Sequence, residues 1–168
     1  NSSIFCVKIS WLKKLLKSDI FCPVDDYGNF SLINLKESDK LQLLFPDQAW
    51  DSFKVANLYQ LSISASEMQR RICENWMNRD VEIIDKVSTF IDTSVKIAKG
   101  SVIYPNTYLR GSTSIGSGSV IGPNTMIENS RIGKNGRIIW SVVEQASVSD
   151  SVSIGPFSHI RKGTLVED

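Results

Sequence analysis

An aliphatic residue returns every six positions through the second half of this 168-residue chain, at Ile91, Ile97, Ile103, Leu109, Ile115, Ile121 and Ile127. Steps of five then mix with steps of six at Ile132, Ile138, Val143 and Val148, and the beat of six resumes at Ile154, Ile160 and Val166. An amphipathic helix repeats near 3.6 residues and a half-buried strand at two, so neither explains this spacing. A period of six is that of a hexapeptide-repeat parallel β-helix. Three short strands and three corners make one coil of about 18 residues. Each beat residue points inward and stacks on its counterpart ~4.8 Å away in the next coil. No hexad can bury its own aliphatic residue; only the stack can. The Gly, Asn, Asp and Ser residues between beats suit the corners. Residues 91–168 are expected to give roughly four such coils.

The segment 58–90 reads differently. Leu61, Ala65, Met68, Ile72 and Trp76 recur at three or four residues and predict one apolar stripe on a helix over 58–78, free of Gly and Pro. Such a helix would be ~30 Å long and suits a linker, with 80–90 as a connecting strand and turn. Residues 1–57 are irregular. A strand is expected at Ile4–Ile9 and a short helix over Ser10–Lys17 capped by Ser10, with loops around Pro23, Gly28 and Asn29. These read as the closing part of a larger α/β domain.

Net charge is +1, which argues against charge-driven binding to nucleic acid or a membrane surface. Cys6, Cys22 and Cys73 are odd in number, far apart and without C-x-x-C spacing. They predict neither a disulfide framework nor a zinc site but reduced thiols in a cytosolic protein. No signal peptide or membrane-spanning run is legible. Gly116, Gly118 and Gly122 imitate a dinucleotide loop, but the third glycine comes one place late and no strand-to-helix switch surrounds it. A single histidine is too few for a metal site of the hexapeptide carbonic-anhydrase kind. Tyr104, Tyr108 and Trp140 are expected to be isolated outward residues of the β faces rather than interface aromatics.

Several segments in succession resemble one family: Gln69-Arg70-Arg71-Ile72, Trp76-Met77, Val81 to Asp85, Thr89 to Asp92, Ile121-Gly122-Pro123-Asn124, Ile127 to Ser130, Ser141 to Glu144, and Ile154 to Arg161. They are similar to bifunctional N-acetylglucosamine-1-phosphate uridyltransferases / glucosamine-1-phosphate acetyltransferases, specifically from about residue 55 to 167 and more weakly before. The resemblance implies a three-part chain. Residues 1–57 would end a Rossmann-like nucleotidyltransferase domain, 58–90 would link, and 91–168 would begin a left-handed β-helix that assembles as a homotrimer. It implies acetyl transfer from acetyl-CoA to glucosamine-1-phosphate, then uridylyl transfer from UTP with Mg²⁺ to give UDP-N-acetylglucosamine, in the cytoplasm.

Residue by residue, Arg161 matches the family arginine that grips the phosphosugar, for which a guanidinium fork is suited. Lys162 stands where the family commonly has Pro. Asn1 matches a sugar-contacting residue. The family's metal-holding Asn is replaced by Ala56, which has no oxygen to offer a hard cation; Asn57 is a weak substitute. The segment Gly28 to Asn34 is a reduced form of another family motif. His159 is a tempting general base, but the resemblance places the catalytic histidine and the CoA-binding coils beyond Asp168. No catalytic residue is therefore expected in this chain, nor any cofactor bound by it alone. The chain does not begin with Met, and Val166-Glu167-Asp168 opens a hexad and stops, as expected of a fragment or of a shortened natural product. Two alternatives remain at this point: a non-catalytic trimeric β-helix module, or a sugar-phosphate adenylyl- or guanylyltransferase with an appended β-helix.

Overall fold

The computed structural model describes residues 55–167, with the two-residue strands β1 (Ile4–Phe5) and β2 (Leu43–Leu44). These strands pair antiparallel, Ile4 with Leu44 and Phe5 with Leu43. The expected helix over 10–17, Asn1, Cys6, Cys22 and the Gly28 to Asn34 segment lie outside the described residues. The chain divides into two compact units, residues 1–60 and 61–168.

Helix α1 spans Leu58–Met77. Asn57 caps it: the Gln60 amide donates to Asn57 Oδ1 at 2.8 Å, and the Ala56 amide donates to Gln60 Oε1 at 2.8 Å. At the other end Asp80 takes a left-handed φ of 60°. The Val81 amide donates to Trp76 O and the Asp80 amide to Met77 O, which closes a Schellman turn. The buried face departs from the expected stripe. Leu61 and Met68 are about half exposed, at 51% and 53%. Ile72 and Trp76 of that stripe do pack on the core, together with Cys73, and Gln69 joins them by donating from Nε2 to Thr89 O. A hydrophobicity pattern cannot register a face that includes a hydrogen-bonding glutamine.

The solenoid follows, built of three five-stranded parallel sheets. The first face stacks β3 (Glu82–Ile83), β6 (Val102–Ile103), β9 (Val120–Ile121), β12 (Arg137–Ile138) and β15 (Ser153–Ile154). The second stacks β4 (Thr89–Ile91), β7 (Thr107–Arg110), β10 (Thr125–Glu128), β13 (Val142–Glu144) and β16 (His159–Ile160). The third stacks β5 (Lys96–Ile97), β8 (Ser114–Ile115), β11 (Arg131–Ile132), β14 (Ser147–Val148) and β17 (Leu165–Val166). This is a left-handed parallel β-helix of about 5 turns. Registry is beat on beat: Ile103 pairs with Ile121, Leu109 with Ile127 and Ile115 with Ile132. Ile83 already pairs with Ile103, so the stack begins in the segment read as a connector. Its step of eight to Ile91 hides it from a six-residue period.

A second inward column lies two places before each beat residue, and it revises the reading of the small residues as corner formers. Ser101, Thr107, Thr113, Ser119, Thr125, Ser130 and Ser141 are all buried. Their hydroxyls satisfy the backbone that the corners free. Thr107 Oγ1 donates to Tyr104 O at 2.8 Å and Thr113 Oγ1 to Arg110 O at 2.6 Å. Ser130 Oγ donates to Glu128 O at 2.7 Å and accepts the Ala146 amide at 3.1 Å. Corners turn through left-handed residues such as Asn106, Gly118, Asn124, Asn129 and Asn135, where Gly and Asn are favoured. Gly116 has a different reason. A Cβ there would lie 2.4 Å from Gly133 O of the next coil.

Candidate functional site

The second face carries the residues of interest. Strand alternation turns the residues on either side of each inward beat residue to the outside. The position before the beat gives Phe90, Tyr108, Met126, Val142 and His159; the position after gives Asp92, Arg110, Glu128, Glu144 and Arg161. β13 and β16 are in register through Val142–His159 and Val143–Ile160. That registry brings His159 Nε2 to 2.9 Å from Glu144 Oε2. Both side chains are about half exposed, so the pair is weakly held in high dielectric.

Arg161 follows β16 directly. Its main-chain oxygen accepts the Thr164 amide at 3.2 Å, and Gly163, with φ of 81°, turns the corner. The guanidinium is exposed and makes no salt bridge among the described residues. Lys162 beside it is exposed as well. Two adjacent, uncommitted cations can receive an anion, and the planar fork of Arg161 can bind two phosphate oxygens at once. His159 is tied to Glu144 rather than to Arg161, so the two residues singled out in the sequence are neighbours in sequence without forming one polar cluster.

The position where the resemblance places a cation ligand is a different matter. Ala56 presents a methyl group, and the oxygen of Asn57 is engaged as the cap of α1. Mg²⁺ demands oxygen ligands in near-octahedral geometry. These two residues do not fit such a site.

The aromatic residues are not isolated. Phe90 and Tyr108 stack with centroids 5.0 Å apart and planes 8° from parallel, and the Arg110 guanidinium lies 5.4 Å from the Tyr108 centroid. Trp140 and Phe157 meet edge to face at 6.0 Å. Trp140 is a corner residue and not a face residue, with φ of 49°; Phe157 occupies the same corner one coil on, with φ of 62°. The beats carried this signal when counted backwards: Trp140 stands three places before Val143, as Asn106 stands before Leu109 and Asn124 before Ile127.

Elsewhere, burial pushes the Cys73 thiol up from its ordinary value, which makes it a core residue rather than a nucleophile. Among the described residues no helix is long and apolar enough to cross a membrane.

The family model described as bacterial transferase hexapeptide (six repeats) matches residues 94–129. Over 98% of its length the chain is 43% identical to the bifunctional protein GlmU of Thermosipho africanus (strain TCF52B), of which it covers 36%. It is 35% identical over 99% of its length to the GlmU protein of Carboxydothermus hydrogenoformans, covering 38% of that protein. It is 40% identical over 70% of its length to that of Caldicellulosiruptor saccharolyticus, covering 26%. The chain thus spans roughly a third of the length of these curated relatives. Among solved structures, the acetyltransferase domain of PglB from Neisseria gonorrhoeae is 16% identical, with a TM-score of 0.27 over 60% of this chain and 62% of that one.

Proposed function

The chain belongs to the bifunctional GlmU family, and on that footing we propose that it is the middle segment of an enzyme making UDP-N-acetylglucosamine. Residues 1–57 end the uridyltransferase domain, in which Asn1 serves as a nucleotide-sugar contact, and the solenoid begins the acetyltransferase. The parent is a cytoplasmic homotrimer. It transfers acetyl from acetyl-CoA to the amine of glucosamine-1-phosphate and then transfers the uridylyl group of UTP to the phosphate of that product, with pyrophosphate leaving. In the first reaction the amine nitrogen attacks the thioester carbonyl, the amine loses a proton, and CoA leaves as the thiol.

The observation that supports this best is the uncommitted guanidinium of Arg161, at the end of β16 with Lys162 beside it. In this role Arg161 binds and orients the phosphate and does no chemistry itself. The 168 residues alone are inactive, because the catalytic base and the CoA-binding coils lie further along the parent. Ala56 has no side-chain oxygen to offer Mg²⁺ in the second reaction.

The test is Arg161→Ala in the full-length parent, followed by CoA thiol release. Losing a charged hydrogen-bonding partner raises KM for glucosamine-1-phosphate by ~10–100-fold. An unchanged KM would remove Arg161 from the site. Clear turnover by the 168-residue chain would overturn the inactive reading. A full-length parent with no acetyl transfer at all would favour a non-catalytic β-helix module.

A further inference from the structure

Glu144 stands between unlike neighbours, and its choice among them decides whether Arg161 is open to a ligand. β10 and β13 are in register through Glu128 and Glu144, so a like charge lies directly opposite on one side. On the other side, Val142 pairs with His159 and Val143 with Ile160. One place further on, that register sets Arg161 opposite Glu144. Adjacent strands lie ~4.8 Å apart, and an arginine fork is the natural partner of a carboxylate at such a separation. His159 occupies the diagonal position, two places before Arg161 and turned to the same outward side.

The carboxylate nevertheless goes to the diagonal neighbour. Glu144 Oε2 lies 2.9 Å from His159 Nε2. An ionised carboxylate only accepts, so the imidazole donates from Nε2. Arg161, directly across from Glu144, makes no salt bridge among the described residues. Other partners for the carboxylate are poorer. Glu128 has the same charge, and Arg110, two coils back, leans over the Tyr108 ring at 5.4 Å.

We infer that His159 is a positioning residue for the phosphosugar site: by holding Glu144, it keeps that carboxylate off the Arg161 guanidinium and leaves the fork open to phosphate. This role rests on Arg161 binding the phosphosugar, as proposed above, and adds the residue that keeps it available. Released from His159, Glu144 has the Arg161 guanidinium opposite it. A carboxylate seated there takes the same N–H groups that two phosphate oxygens would use. His159 touches no reacting atom in this role and acts only through Glu144. The groups involved are exposed, so the competition is modest in size.

The test is a double-mutant cycle in the full-length parent, reading the dissociation constant of glucosamine-1-phosphate by calorimetry. Both side chains of the pair are about half exposed, so the substitutions leave the core intact, which circular dichroism verifies. His159→Ala is expected to weaken binding ~3- to 5-fold. His159→Gln keeps an N–H donor and is expected to lose less. In a Glu144→Ala background no carboxylate can turn onto Arg161, and the loss caused by His159→Ala is expected to disappear. An equal loss in both backgrounds would overturn the positioning role and make His159 a direct contact or a plain structural support. No loss in either background would overturn it too. Arg161→Ala tests the premise separately. If it weakens binding ~10–100-fold while the cycle shows no coupling, the positioning role fails and the reading of Arg161 stands. If it changes nothing, or if the parent does not bind glucosamine-1-phosphate, both fail together.

Discussion

Gln69 Nε2 donates to the main-chain oxygen of Thr89 at 2.9 Å, and so ties α1 to the first strand of the second face. Cys73 lies on the same side of the helix, fully buried, with Sγ 3.8 Å from the same oxygen. The helix thereby covers part of the first coil, an end that would otherwise present an unpaired sheet edge. Gln69→Leu keeps the side-chain volume and removes the donor. The expected loss is about 1 kcal/mol, read as a lower denaturant midpoint with an unchanged slope. An unaltered midpoint would mean that the hydrogen bond contributes nothing to the joint.

Ser130→Ala deletes a single oxygen, yet leaves the Ala146 amide without its partner inside the solenoid, while the Glu128 carbonyl keeps the Gln145 amide at 2.9 Å. The cost expected is about 1–3 kcal/mol. Ser153→Ala, at an exposed position on the first face, is expected to stay within ~0.5 kcal/mol of wild type. Equal thermal midpoints for the two variants would contradict the role given to the inward hydroxyls.

Gly116→Ala and Gly100→Asn separate two uses of glycine. At Gly116 the new Cβ would press on the Gly133 backbone at 2.4 Å, and overpacking of this kind costs about 1–3 kcal/mol. Gly100 has a φ of 75°, and a Cβ there meets only Gly118 N, at 3.9 Å. Asn tolerates that conformation, so Gly100→Asn is expected to be close to neutral. Comparing the two unfolding curves decides whether close approach between coils, rather than backbone sign, dictates residue 116.

Glu67 receives hydrogen bonds from Arg70 and Arg71, both at 2.8 Å, and these bring its pKa down to about 2 from an ordinary 4.5. A carboxylate with a depressed folded-state pKa stabilises above its unfolded value, and that contribution disappears as pH falls through the folded value. Stability is therefore expected to decline between about pH 4.5 and 2, and Glu67→Gln should make that decline shallower. Glu74 and Asp85 are lowered too and remain in the variant, so the acid decline is reduced and not abolished. Parallel pH profiles would show that the cluster is open to solvent and without effect.

The solenoid was legible because its inward aliphatic residues must stack, and stacking imposes a period that no solvent-facing position blurs. Ile83 escaped because a longer first loop sets it eight residues from Ile91. The buried serines and threonines were misread for a physical reason. In sequence Ser signals a turn, and only the three-dimensional corner shows its hydroxyl turned inward to repair the turn's backbone. The linker helix was found, but its face was misjudged where a polar residue, Gln69, is the one that engages the coil. Arg161 came from a resemblance. Its position after β16 follows from the beat at Ile160, whereas the Glu144 partner of His159 needed the registry of β13 and β16.

The coils do not all contain the same number of residues. Successive partners on the first face lie 18, 17 and 16 positions apart, from Ile103 to Ile121 to Ile138 to Ile154. Every inward column nevertheless stays in line, because each omission falls within a turn. The corners thus behave as expansion joints in a masonry wall, absorbing a change in length without disturbing the courses above and below. Gains and losses of single residues in this chain should accumulate there and nowhere else. Two relatives can then differ in length at every coil and still superimpose, strand for strand.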